Sequence, residues 1–248
     1  MCYHKSQKFE LDYVAEYYSA AYDKVLEEVY QPQFHENGFD FKAGPVLTTG
    51  KPDELQLFNW GLIPYWTKDL ASATKLRIST LNCISEEMFD KPSFRDAARE
   101  GKRCLIPCSG FYEWRWLNPE DKKSKKFPYY IGLKDQPLFS IGGIYSRWID
   151  RQSDTKHYTY SVLTTASNTL MSKIHNSKRR MPVIIPREYE KDWLNPALTK
   201  EDVLALCQPI PDSRMHAYTI SKRITSKTEE TNVPEVQQEE LYPELGSD

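Results

Sequence analysis

The chain has no apolar run near the roughly 18 residues that a membrane-spanning helix needs. Its opening, MCYHKSQKFELDYV, lacks the apolar stretch of a secretory signal. Both absences read as a soluble, cytoplasmic protein with no membrane partner. Cysteine is sparse and poorly spaced for structure: Cys2, Cys83, Cys104, Cys108 and Cys207 form an odd set with no two-residue spacing of a zinc knuckle. No structural zinc and no disulfide framework are expected, and the thiols are read as reduced. A phosphate-cradling Gly-rich loop, His-Glu-x-x-His and a Gly-x-Ser-x-Gly elbow are all missing. Nucleotide and serine hydrolases are left without support, and no cofactor is implied.

What the chain does have is apolar material and a divided charge. With 248 residues, 40% hydrophobic and 13% aromatic, it can bury a core in one large domain or two small ones. The net charge of −2 is uneven. Seven acids after residue 224 (Glu229, Glu230, Glu235, Glu239, Glu240, Glu244 and Asp248) stand against Lys227 alone, so residues 225–248 carry −6 and residues 1–224 carry +4. We read a domain over 1–224 and an acidic tail over 225–248, extended over the surface or frayed. The basic excess gathers in KKSKK (122–126), SKRR (177–180) and SKR (221–223). Such clusters are most often solvated loops; they permit nucleic-acid contact without requiring it.

Periodicity predicts an amphipathic helix over residues 9–30, where Leu11, Val14, Tyr18, Ala21, Val25 and Val29 recur every three to four places before Pro32. KPSFRDAAREGK reads as a helix stopped by Gly101, and LQLFNWGLIPYW as a strand broken at Gly61 and Pro64. RCLIPCSGFYEWRW, FPYYIGL, PLFSIGGIYSRWID and HYTYSVLTT are aromatic and β-branched runs between polar turns, the pattern of an antiparallel meander. A short helix is expected near 168–174, a strand at MPVII, helices near 187–194 and 199–206, and a last strand at HAYTIS. The fold class is therefore α+β: a single domain with a curved, barrel-like, mainly antiparallel sheet flanked by helices.

Four residues stand out chemically. Cys2 would carry a free α-amine and a thiol on adjacent carbons once Met1 is removed, a pair that reacts with aldehydes; an inert terminal residue is the plain alternative. In a strand, Phe111, Glu113 and Arg115 share one face, and Tyr112 and Trp114 the other. Glu113 is then either a surface acid paired with Arg115 or a carboxylate in an apolar pocket, its pKa raised toward proton transfer near neutrality. His175 lies between a short helix and a basic turn, where functional side chains are often displayed. Asn82, in STLNCISEE, is individually uninformative.

Taken in order, MC, LNCISEE, KPSFRDAAREGKRCLIPCSGFYEW, LTTASN and IHNSKRRMPVII resemble the SRAP family, the SOS response-associated peptidases, over almost the whole chain; WGLIPYW falls where that family has Trp-Gly-Leu-x-Pro. The resemblance implies a compact α+β domain that recognises abasic sites in single-stranded DNA and crosslinks to them through its processed N-terminal cysteine. It implies Cys2 as nucleophile, Asn82 as the motif asparagine, Glu113 and His175 as proton carriers, and a monomer that joins the nucleoid during DNA damage. Trp114 and Pro45 match its base-stacking wedge, Arg180 its phosphate contact, and Arg179, Arg77 and Thr164 the same DNA-binding surface. Tyr3, His4 and Ile84 depart from the pattern and remove expected phosphate ligands, whose place Lys5 or Arg77 is read as taking. Three alternatives stay open: a cysteine peptidase or self-trimming enzyme with His175 as base, with lyase chemistry as a companion activity; a noncovalent binder of single-stranded or modified DNA; and a scaffold domain.

Overall fold

The structure is a computed structural model and describes residues 2–246. Its strands are β1 (His4–Gln7), β2 (Gln33–Asn37), β3 (Ala43–Thr48), β4 (Lys51–Trp60), β5 (Asn82–Ile84), β6 (Arg103–Cys108), β7 (Gly110–Trp116), β8 (Lys126–Leu133), β9 (Phe139–Asp150), β10 (Thr155–Ala166), β11 (Arg180–Pro182), β12 (Ile184–Ile185) and β13 (Met215–Thr219). The helices are α1 (Leu11–Tyr18), α2 (Leu70–Ser79), α3 (Arg95–Arg99), α4 (Thr169–Ile174), α5 (Glu190–Trp193) and α6 (Lys200–Leu206). Strands β10, β4, β3, β6 and β9 pair in that order, and β9 returns to β10, which closes a five-stranded barrel. Only the β10–β4 contact in that ring is parallel. The barrel-like α+β expectation is thus realised as a closed mixed barrel with added strands. A second sheet runs β13-β8-β7-β1-β2.

The run RCLIPC explains how the two parts are stacked. All six residues of β6 are buried. Cys104, Ile106 and Cys108 join the core that also holds Val162, Trp60 and Tyr160, whereas Leu105 joins the core under α5 with Trp193 and Val183. A strand covered on both faces reads as a continuous apolar run rather than an alternating one. Each fully buried Leu or Ile here contributes about 1.5–3 kcal/mol. The meander then leaves the barrel at Ser109–Gly110, where β7 crosses to the second sheet. Gly110 is required there because a Cβ would stand 2.3 Å from the Tyr130 ring.

One expectation fails for a tertiary reason, and of the two readings of the tail, extended over the surface or frayed, the structure has the first. The helix predicted over 9–30 stops at Tyr18: Ser19 adopts φ 53°, and Ala21 leaves to bond Asp53 and Leu55 at the start of β4. Residues 24–28 form only a 3-10 turn, and Val25 and Val29 are exposed. The tail is not frayed. Asn232 Oδ1 accepts from the Phe34 and His35 amides along the outer edge of β2, Gln237 Nε2 donates to Ser6 Oγ, and Val236 is buried. An edge strand is thereby capped.

Candidate active site

The N-terminal strand is central, not peripheral. β1 pairs with β2 on one side and β7 on the other, with Lys5 opposite Phe111 and His4 opposite Tyr112. Cys2, just before β1, is 0% exposed in the core cluster of Phe111, Leu81 and Ile174. Its Sγ donates to His4 O at 3.5 Å. Burial pushes the thiol well above its ordinary range, and the charges of Glu113 and Cys108 push it further. All five cysteines are buried and unpaired. Met1, whose removal the sequence reading requires, lies outside the described residues.

β7 has the alternation its sequence implies: Phe111 faces the core that holds Cys2, while Tyr112 and Trp114 pack on the other side. Glu113 is buried, and desolvation pushes its carboxyl up to about 8. His175 caps α4 and is buried too, which draws its imidazole down to about 4. Its Nε2 stands 3.6 Å from Glu113 Oε2, and its Nδ1 is 2.7 Å from the Arg180 carbonyl. A carbonyl only accepts, so Nδ1 carries the hydrogen and Nε2 presents its lone pair to Glu113. Near neutral pH the pair is uncharged, with the mobile proton on the carboxyl.

One residue the sequence reading missed holds this contact. Asn176 donates from Nδ2 to Trp116 O at 2.8 Å and accepts the Trp116 amide at 3.1 Å, pinning the turn after His175 to the end of β7. Its only signal in the sequence is its place directly behind the histidine. Arg180, on β11, forks onto Glu86 with two 2.7 Å bonds and also bonds the Thr164 carbonyl. That fork holds the Glu86 carboxyl down to about 2. Thr164 itself is buried, its hydroxyl on Cys83 O at 3.4 Å. Asn82 lies on β5, which runs beside β10 with Val162 opposite; its amide is buried and both polar atoms lack a partner. A buried amide left open in this way is a site that a ligand's polar atoms would satisfy.

Not every expected residue joins the cluster. Pro45 is buried in β3 opposite Leu57 and turns no face to solvent for a base to stack on. Arg77, on α2, gives its guanidinium to the Gly61, Phe41 and Trp60 carbonyls and stacks on the Phe41 ring. Lys5 is not available to phosphate: it is fully buried and ion-paired with Glu36. Trp114 is half-buried, with its ring 4.9 Å from that of His4. Arg179 is exposed at φ 51°.

The family model for the SOS response associated peptidase (SRAP) matches residues 1–227. The chain belongs to that family. Within it, the abasic site processing protein YoqW of Bacillus subtilis is 36% identical over 225 residues, covering 87% of this chain and 94% of its own. The abasic site processing protein HMCES of Xenopus tropicalis is 31% identical over 176 residues, 65% of this chain and 51% of its own. A solved structure of a protein from Bacteroides thetaiotaomicron superposes with a TM-score of 0.89 at 38% identity, over 97% of this chain and all of that one. A Bordetella bronchiseptica structure at 23% identity and TM-score 0.73 shares the fold over 89% of this chain. Among the described residues, no helix of this SRAP domain is long and apolar enough to cross a membrane.

Proposed function

We propose that this SRAP domain recognises abasic sites in single-stranded DNA and, after loss of Met1, captures them covalently as a thiazolidine at Cys2. The carrying observation is the Glu113–His175 contact at 3.6 Å, with Glu113 near enough to the buried Cys2 thiol to act on it electrostatically. The α-amine of a processed Cys2 has an ordinary pKa of about 7.7–8.0, so a neutral fraction exists at physiological pH. It adds to the aldehyde carbon of the open-ring sugar and gives a carbinolamine. Glu113 passes its proton to the departing hydroxyl, water leaves, and a protonated imine remains beside the Glu113 carboxylate. Sγ then adds to the iminium carbon as its proton goes to the Glu113 carboxylate, which closes the five-membered ring with its nitrogen as a neutral N–H. One water is released in all.

His175 Nε2 accepts the proton of the sugar hydroxyl as the ring opens and returns it in the reverse direction. Asn82 supplies the open amide that holds sugar or terminus in line, an orienting role. Arg180 offers a guanidinium beside the site, and an intact base would leave no aldehyde to attack. A thiol peptidase, by contrast, needs a thiolate stabilised near neutrality; here burial holds the proton on sulfur, and His175 faces Glu113.

The test is incubation of the mature protein with an oligonucleotide bearing one abasic site, read by denaturing gel and intact mass. Wild type is expected to give an adduct one water lighter than the sum of its parts, and Cys2→Ala none that survives heat. A stable adduct in Cys2→Ala, or none in wild type, would falsify the assignment. Cys2-dependent cleavage of peptides without DNA adduct would favour the peptidase.

A further inference from the structure

Beside Glu113 runs a groove of about 730 Å³. One wall belongs to the second sheet and the end of α4: Arg115, Tyr129, Lys173 and Ile174. Arg115 shares the face of β7 that carries Glu113, one pleat or about 7 Å further on. Tyr129 is directly opposite Glu113 in the β7–β8 pairing, and Lys173 and Ile174 are the last residues before His175. The other wall is the C-terminal segment: Glu239, Leu241, Tyr242 and Leu245. The family match ends at residue 227, so this wall lies outside the shared domain.

The tail is held unevenly. Residues 231–237 are clasped by the Asn232 and Gln237 bonds and by buried Val236. Residues 239–246 are held by Glu240 N on Thr219 O at 2.9 Å, Tyr242 Oη on Ile220 O at 2.8 Å, Tyr242 against the Phe127 ring and under Lys222 Nζ, and Leu245 partly buried against the core, with no fully buried side chain among them. The Lys125–Glu244 pair at 3.2 Å is solvent-exposed and contributes little. Leu241 is 81% exposed. A segment with few buried contacts opens locally at low cost while the domain stays folded.

We propose that residues 239–246 are an acidic strap sharing the Arg115–Lys173 groove with the single strand next to the reactive site, and that a bound strand displaces it. The inference rests on the function proposed above, because it takes the groove to carry the strand beyond the lesion. Phosphates would pair with Arg115, Lys173 and the Lys125 released from Glu244. Glu239, Glu240 and Glu244 oppose the same phosphates while the strap is down. The strap thus sets a threshold: weak, passing contacts with single strands are turned away, and a strand anchored at the site lifts it.

The test compares the full chain, a chain ended after Gln238, and a full-length Glu239→Gln/Glu240→Gln/Glu244→Gln variant. Binding of an undamaged single-stranded oligonucleotide is followed by fluorescence anisotropy over a salt series. The shortened chain keeps the Asn232, Val236 and Gln237 clasp, and the triple variant keeps the chain length, so a folding defect in one leaves the other informative. Both are expected to bind several-fold tighter than the full chain at low salt. The shortened chain should show a log K against log salt slope steeper by about 0.7 for each cation freed to meet phosphate. A synthetic peptide of residues 239–248 added in trans should weaken the shortened chain's binding. Equal affinities and slopes in all three proteins overturn the strap while leaving the covalent reading intact. Failure of all three to bind overturns the strap, and the abasic-site adduct measured above decides the covalent reading separately.

Discussion

Glu113 is a buried acid whose charge state the surrounding apolar residues decide. With its carboxyl near 8, the native chain holds a proton between about pH 4.5 and 8 that the unfolded chain has lost. Stability from this group therefore falls as pH rises through that window. His175 acts oppositely: near 4, it lacks in the native state a proton that the unfolded chain binds below about 6.5, so its contribution falls as pH drops from 6.5 toward 4. His4 and His35, drawn to about 3 and 4 by burial, act in the same sense as His175. Above pH 6.5 the decline belongs to Glu113. Glu113→Gln should gain on wild type as pH rises from 6.5 to 8, by up to about 2 kcal/mol, while slowing adduct formation by roughly 10²–10⁴-fold. Denaturant titrations at several pH values check the first part, and a gap between the two proteins that stays flat with pH would refute a proton on Glu113.

At the scale of one element, β1 follows directly on Cys2 and carries a charge that cannot escape. Lys5 is sealed between Glu36 and the Trp60 ring, with Tyr160 Oη nearby and without a partner. Lys5→Met leaves Glu36 buried and uncompensated, at an expected cost of about 3–5 kcal/mol. Lys5→Met with Glu36→Met should recover most of it, as measured by chemical denaturation. If the single and double variants are equally destabilised, the ion pair is not what holds β1 in place. Nothing in HKSQ marks this lysine as internal, because its partner is far away in sequence. The same reason limits other readings. Which face of β7 carries Glu113 follows from a period of two, and Gly101 stops α3 as a local signal should. The apolar spacing of residues 9–30 was misleading because Ala21 gains backbone bonds with β4, a long-range competitor that helical periodicity cannot reveal. The reactive residue types are visible as motifs, but the neutrality of the Glu113–His175 pair and the Asn176 clamp emerge only from packing.

On the scale of the molecule, the chain runs its first strand into the middle of a sheet whose other members come later. β7, the partner of β1, begins only at Gly110. Once the two have joined, the backbone at Cys2 is fixed in the folded core and cannot be drawn out into another enzyme's cleft. An aminopeptidase that removes Met1 needs the first residues extended in its own cleft, so trimming has to happen before the sheet assembles. A folded Met1-bearing chain should resist such an enzyme, whereas the same chain unfolded, treated and refolded should lose the mass of one methionine. Ready trimming of the folded form would contradict this order. On the function proposed above, the ability to react is thus a matter of timing: whether the nascent chain meets its processing enzyme first or its own later strands, a race that ends before the protein leaves its birthplace.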